Sequence, residues 1–142
     1  MSATAAQHRI VRVASGQGFW GDWLDAPRRQ VEGGPVDYLM LDYLAEVTMS
    51  ILQKQKERDP RMGYARDFIG AMESVLPAVV ERGVRVIANA GGVNPVACAH
   101  AVLDVARARG AAAKLKVGVV TGDDLLPRLD ELIGRASCRE RV

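Results

Sequence analysis

Cysteine is scarce in this chain, with Cys98 and Cys138 its only two, so neither a disulfide framework nor a thiolate–metal cluster is expected. Aromatic residues make up 5%. No apolar run approaches the length of a transmembrane span, and Met1-Ser-Ala-Thr-Ala-Ala-Gln-His8 lacks the basic and apolar regions of a signal peptide. No membrane association is therefore expected, and the cytoplasm is the expected location. Net charge is also small, at +2. The closing segment, Ile133-Gly-Arg-Ala-Ser-Cys-Arg-Glu-Arg-Val142, holds that whole excess through Arg135, Arg139 and Arg141 against Glu140. The body of the chain is formally neutral, which removes the electrostatic case for nucleic acid as a partner.

That closing segment resembles a sequencing adapter translated in frame. Residues 133–142 are accordingly expected to be foreign or disordered, and residues 1–132 to be the N-terminal α/β domain of a longer protein, a fragment with an uncovered edge or face. Setting Cys138 aside leaves Cys98 on an apolar helix face, where a buried structural thiol is expected. With 142 residues, 49% of them hydrophobic, the chain suffices for one globular core.

What is present is a pattern of short β-branched runs, each passing into a turn. Residues His8-Arg-Ile-Val-Arg-Val-Ala14 end at Ser15-Gly16. Val36-Asp-Tyr-Leu-Met-Leu41 lies between Gly33-Gly34-Pro35 and Asp42. Arg85-Val-Ile-Ala runs through Gly91-Gly92 to Asn94, a good N-cap, and Pro95, suited to a first helical position. Leu115-Lys-Val-Gly-Val-Val120 supplies a fourth strand. Between them, residues 44–58 read as a helix with Leu44, Val47, Ile51 and Leu52 on one stripe. A further helix carries Phe68, Met72, Val75, Leu76, Val79 and Val80 inward, with Pro77 expected to kink or restart it and Gly83 to end it. Ala97 to Ala106 form another helix, closed by Gly110. The order βαβααβαβα predicts an α/β fold: a parallel, four-stranded, incomplete Rossmann-like sheet with helices on both faces.

All four strands end in polar residues, and in a parallel sheet those ends share one edge. Ser15, Gly16, Gly18 and Asp22 follow the first strand; Asp42, Tyr43 and Glu46 the second; Asn89, Gly91, Gly92 and Asn94 the third; Thr121, Gly122, Asp123 and Asp124 the fourth. Backbone N–H groups at Gly91, Gly92 and Asn94 suit an anionic group, and Asp42 and Glu46 are the candidate acid or base. Each position also has a structural reading as a helix cap or a turn residue. Asp123 and Asp124 offer carboxylate oxygens to a divalent cation, or else a cap and a solvated neighbour. The metal and cofactor requirements stay open.

Gly16-Gln-Gly-Phe-Trp-Gly21 satisfies the dinucleotide fingerprint G-x-G-x-x-G, with Asp42 ending the next strand. Against it, Asp22 interrupts the required helix start and Pro27 would fall inside that helix. Core packing is expected for Phe19, whereas Trp20 is assigned neither to packing nor to a pocket wall.

Gly18-Phe-Trp-Gly-Asp22, Leu41-Asp-Tyr-Leu-Ala-Glu-Val-Thr-Met-Ser50, Asp59-Pro60 with Gly63-Tyr64, Asn89-Ala-Gly-Gly-Val-Asn-Pro95 with Cys98-Ala99, and Gly122-Asp-Asp-Leu125 together resemble the N-terminal region of the acyclic terpene utilisation (AtuA) family, over residues 8–132. The resemblance implies a role in breaking down acyclic terpenoids such as citronellol and geraniol, a pathway run on coenzyme A thioesters. It carries over no catalytic residue.

Three functions remain open at this point. The first is an enzyme domain binding and acting on a small acyl or carboxylate metabolite, coenzyme A-linked forms included. The second is a non-catalytic binding or assembly module of a terpenoid pathway, and the third a dinucleotide-binding domain. Homo-oligomerisation of the full-length protein is left open as well.

Overall fold

The computed structural model describes residues 10–133; the expectations for the closing segment beyond 133 lie outside them. The chain begins with β1 (Val13–Gln17), α1 (Ala26–Gly33), β2 (Tyr38–Leu41), α2 (Glu46–Arg58) and α3 (Asp67–Arg82). β3 (Arg85–Ala88) and α4 (Pro95–Ala108) follow, then 3-10 turns at Ala112–Lys114 and Leu126–Arg128 and a short α5 (Leu129–Ile133). The strands form one parallel sheet in the order β1-β2-β3. Tyr38 lies between Val13 and Arg85, and Met40 between Ser15 and Ile87.

Three expectations about the sheet are corrected. The first strand lies later than expected, because Ser15-Gly16 is part of β1 and does not end it. A Cβ on Gly16 would stand 2.8 Å from Leu41 Cδ2 and 3.1 Å from the Pro27 Cα, so this glycine lets a helix and a neighbouring strand close over β1. Second, among the described residues Leu115–Val120 pairs with no strand. It runs irregularly beside β3, with Val120 93% exposed. α5 buries no residue, so no apolar layer compensates the entropy of fixing this segment. Third, the helices do not cover both faces. α1, α3 and α4 pack into one core with Leu39, Leu41, Tyr43, Val84 and Ala90, while Val13 (67% exposed), Met40 and Ile87 on the opposite face are exposed. The strand order explains this: right-handed crossovers that advance in one direction set successive helices on the same side. With no reversal of order, the described strands form no switch-point crevice of the Rossmann type.

The helices follow their end signals. Pro27 sits in the first turn of α1, where its missing N–H costs nothing. α3 continues through Pro77 without restarting and ends at Gly83, whose φ of 70° puts it in the left-handed conformation. α2 differs from expectation. It buries Thr48 and Leu52, while Val47 is 71% exposed and Ile51 is exposed too. The inward stripe is therefore narrower than the expected one, because α2 meets the body chiefly at the turn after β3, where Leu52 faces Gly92. No helix among the described residues is long and apolar enough to cross a membrane.

Candidate functional site

Hydrogen bonds tie the three strand ends together. Asn89, just past β3, donates from Nδ2 to Asp42 Oδ1 (2.6 Å) and accepts the Tyr43 N–H at Oδ1 (2.8 Å). Asp42 Oδ1 also accepts the Leu44 N–H (3.3 Å), and the Asp42 N–H donates to the Gln17 carbonyl (3.0 Å). Tyr43, fully buried, donates its hydroxyl to Gln17 Oε1 (2.8 Å). Burial, and secondarily the Asp67 carboxylate, push the Tyr43 phenol well above its ordinary range. Gln17 is 2% exposed, and its Nε2 is the one buried side-chain polar atom without a partner among the described residues. A register irregularity between Ser15 and Gln17 accompanies the inward placement of this amide, as bulges re-aim side chains.

The expected site residues divide by what they do. Asp42 and Asn89 come together at the strand ends. Ser15 does not join them; it is exposed inside β1, opposite Met40. Asp22 folds its own loop, accepting the Gly18 N–H (3.0 Å) and the Trp23 N–H (2.7 Å). Those two bonds, Trp23 first, hold its carboxyl below the usual range. Glu46 is exposed in the first turn of α2, where a carboxylate complements the helix dipole. Phe19, expected in the core, is 62% exposed. Its neighbour Trp20 packs on the core and donates from Nε1 to Asp67 Oδ2 (3.1 Å).

The Gly-Gly turn is built for packing. A Cβ on Gly91 would meet Pro95 at 2.7 Å, and one on Gly92 (φ 52°) would strike Leu52 and stand 2.8 Å from the Gly63 carbonyl oxygen. Three of its amides are engaged as well: the Gly92 N–H by the Asn89 carbonyl (3.2 Å), the Val93 N–H by Gly63 (3.0 Å) and the Asn94 N–H by Gly91 (2.9 Å). Asn94 makes no side-chain cap on α4. Its Nδ2 instead donates to the Pro60 (2.8 Å) and Met62 (2.7 Å) carbonyls, and Lys56 Nζ donates to the Val93 carbonyl (2.7 Å). The loop between α2 and α3 is thereby pinned to the turn before α4, and the cap expectation for Asn94 is corrected: the nearer carbonyls win its amide.

Beside β3 lies a groove of about 650 Å³, within the range of small-molecule sites. Val86, Ala88, Phe68, Cys98, Val102, Val117 and Val119 supply apolar wall, and Asn89, Thr121 and Asp123 its polar side chains. Burial raises the Cys98 thiol to about 11, so it is protonated and inert at neutral pH. Asp124 does not line the groove; its Oδ1 accepts the Leu126 N–H (3.0 Å). No group of three or more His, Cys, Asp or Glu fit for a metal occurs among the described residues.

Gln17 and Asp67 are the polar contributors that sequence reasoning missed, and Trp20 is the one it left unassigned. Gln17 lay inside an apparent glycine motif, and Asp67 meets Trp20 across 47 residues of sequence, a separation no local pattern encodes. The glycine fingerprint is not realised, since α1 begins only at Ala26.

No curated protein and no solved structure matches this chain. A family does: residues 11–141 match the description "acyclic terpene utilisation family protein AtuA". The span takes in the glycine loop, the Asp42 and Asn89 strand ends and the groove segment, and on that match the chain belongs to the acyclic terpene utilisation family.

Proposed function

We propose that the groove beside β3 receives the branched hydrocarbon of an acyclic terpenoid metabolite and presents its functional end to Asn89, with Asp42 acting as acid or base behind it. One observation carries this reading: an apolar groove of about 650 Å³ reaches the residue that hydrogen-bonds Asp42. Asp42 Oδ1 is occupied by Asn89 and Leu44, which leaves Oδ2 for proton transfer. Alcohol, acyl, carboxylate and coenzyme A-linked forms of such a metabolite are the candidates for that end, and they differ in the charge they bring to it.

The test pairs binding with growth. Citronellol titrated by calorimetry should bind the parent, and Ala99→Phe, which fills the groove from α4, should abolish binding without lowering Tm by more than a few degrees. Asp42→Asn preserves both accepted hydrogen bonds, so it should fold normally and yet fail to support terpenoid-dependent growth. Growth equal to the parent's would remove Asp42 from the chemistry. The bare sheet face around Val13, Met40 and Ile87 favours a second reading, in which the domain is a binding or assembly module or a homo-oligomer. In that case Val13→Lys, on the same face but outside the groove lining, would lower the solution mass and leave citronellol binding unchanged.

A further inference from the structure

We infer that the groove selects an uncharged, hydroxyl-bearing end of its ligand and rejects the corresponding carboxylate; this rests on the groove reading above. The inference comes from the charge of the walls. Among the described residues lining the groove, Asp123 is the charged one and none is cationic. A carboxylate entering this partly apolar space would lose hydration and meet a charge of its own sign.

Three amides of the turn beside the groove are already spent. The Gly92, Val93 and Asn94 amides already have acceptors within the turn, and α4 opens on Pro95, which has no N–H to offer. Asn89 commits one amide hydrogen to Asp42 and its oxygen to Tyr43. A neutral hydroxyl, in contrast, finds complementary groups: it can donate to the Asp123 carboxylate and accept from the Thr121 hydroxyl. The same polar end that admits an alcohol therefore excludes its oxidised acid, and the domain would act before oxidation of that end, or on a neutral derivative of the acid.

The experiment titrates citronellol and citronellate into the parent, Asp123→Asn and Asp123→Lys at pH 8 by calorimetry. Asp123 is exposed, so its replacement should leave the fold intact. In the parent the alcohol should bind about tenfold or more tighter than the acid, in Asp123→Asn the gap should shrink to about threefold, and in Asp123→Lys the acid should bind the tighter. Acid binding equal to or tighter than alcohol binding in the parent, or a preference unchanged in Asp123→Asn, overturns the inference while the groove reading stands. Binding of neither compound overturns both.

Discussion

Replacing Tyr43 by Phe isolates one hydrogen bond in the core. The ring is fully buried and packs edge-on against Phe68, with centroids 5.9 Å apart at 77°, and phenylalanine preserves that contact. What disappears is the hydroxyl that donates to Gln17 Oε1. The Gln17 Nε2 already lacks a partner, so the variant leaves an entire buried amide unsatisfied. Such a loss costs about 1–3 kcal/mol; about 2 kcal/mol would lower Tm by roughly 6–10 °C in a domain of this size. Urea unfolding at pH 7 measures it directly. Tyr43→Phe combined with Gln17→Leu removes both partners, and the double variant should be more stable than Tyr43→Phe alone. The phenol adds a pH signature. Its pKa is higher folded than unfolded, so only the unfolded chain ionises as the pH first rises past the ordinary 10. Stability should fall there in the parent, and less so in the variant. A Tyr43→Phe protein within about 0.5 kcal/mol of the parent would refute the argument that this hydroxyl closes the network.

Other perturbations test the turn and the thiol. Gly92→Ala forces a left-handed alanine against Leu52 and the Gly63 carbonyl and should cost about 2–4 kcal/mol in denaturant unfolding. Asn94→Ala should cost about 1–2 kcal/mol, and hydrogen exchange should quicken in residues 59–66 and not in the first turn of α4; the reverse pattern would restore the cap reading. Cys98, raised from 9 to about 11, stays protonated in the fold while the unfolded thiol ionises. Its contribution to stability is therefore complete below pH 9 and lost as the pH rises towards 11, and Cys98→Ala in a Cys138→Ser background should flatten that part of the curve.

Punctuated elements were legible in the sequence. Gly33-Gly34-Pro35, Asp59-Pro60, Gly83 and Asn94-Pro95 bracket β2, α2, α3, β3 and α4 to within a few residues, because glycine and proline restrict or release the backbone locally. β1 was displaced since Ser15-Gly16 carries the same local signal for another reason, the approach of Leu41 and Pro27. Leu115–Val120 has strand composition, but pairing depends on a covering layer that composition does not reveal. Helices on both faces would require a reversed strand order, which no residue encodes. Asp42 and Asn89 could be placed at one edge from their positions after strands. The amides meant for an anion could not be judged, because only the folded turn shows the Asn89 and Gly91 carbonyls already holding two of them.

The junction of Gly63 with the Gly92 turn also bears on the order of assembly. Ala65 donates to the Ala90 carbonyl (2.8 Å), Val93 donates to Gly63 (3.0 Å), and Asn94 grips the loop from the other side. Every partner of residues 60–65 in this clasp lies about thirty positions downstream. On the ribosome, β1, α1, β2 and α2 emerge with their exit loop still open, and it shuts only when the turn after β3 arrives. The clasp is thus a medium-range closure that the elements before it cannot complete by themselves. The polar network at the strand ends, which needs Asn89, is completed by the same event, so a chain that has not yet closed has no site to offer a ligand.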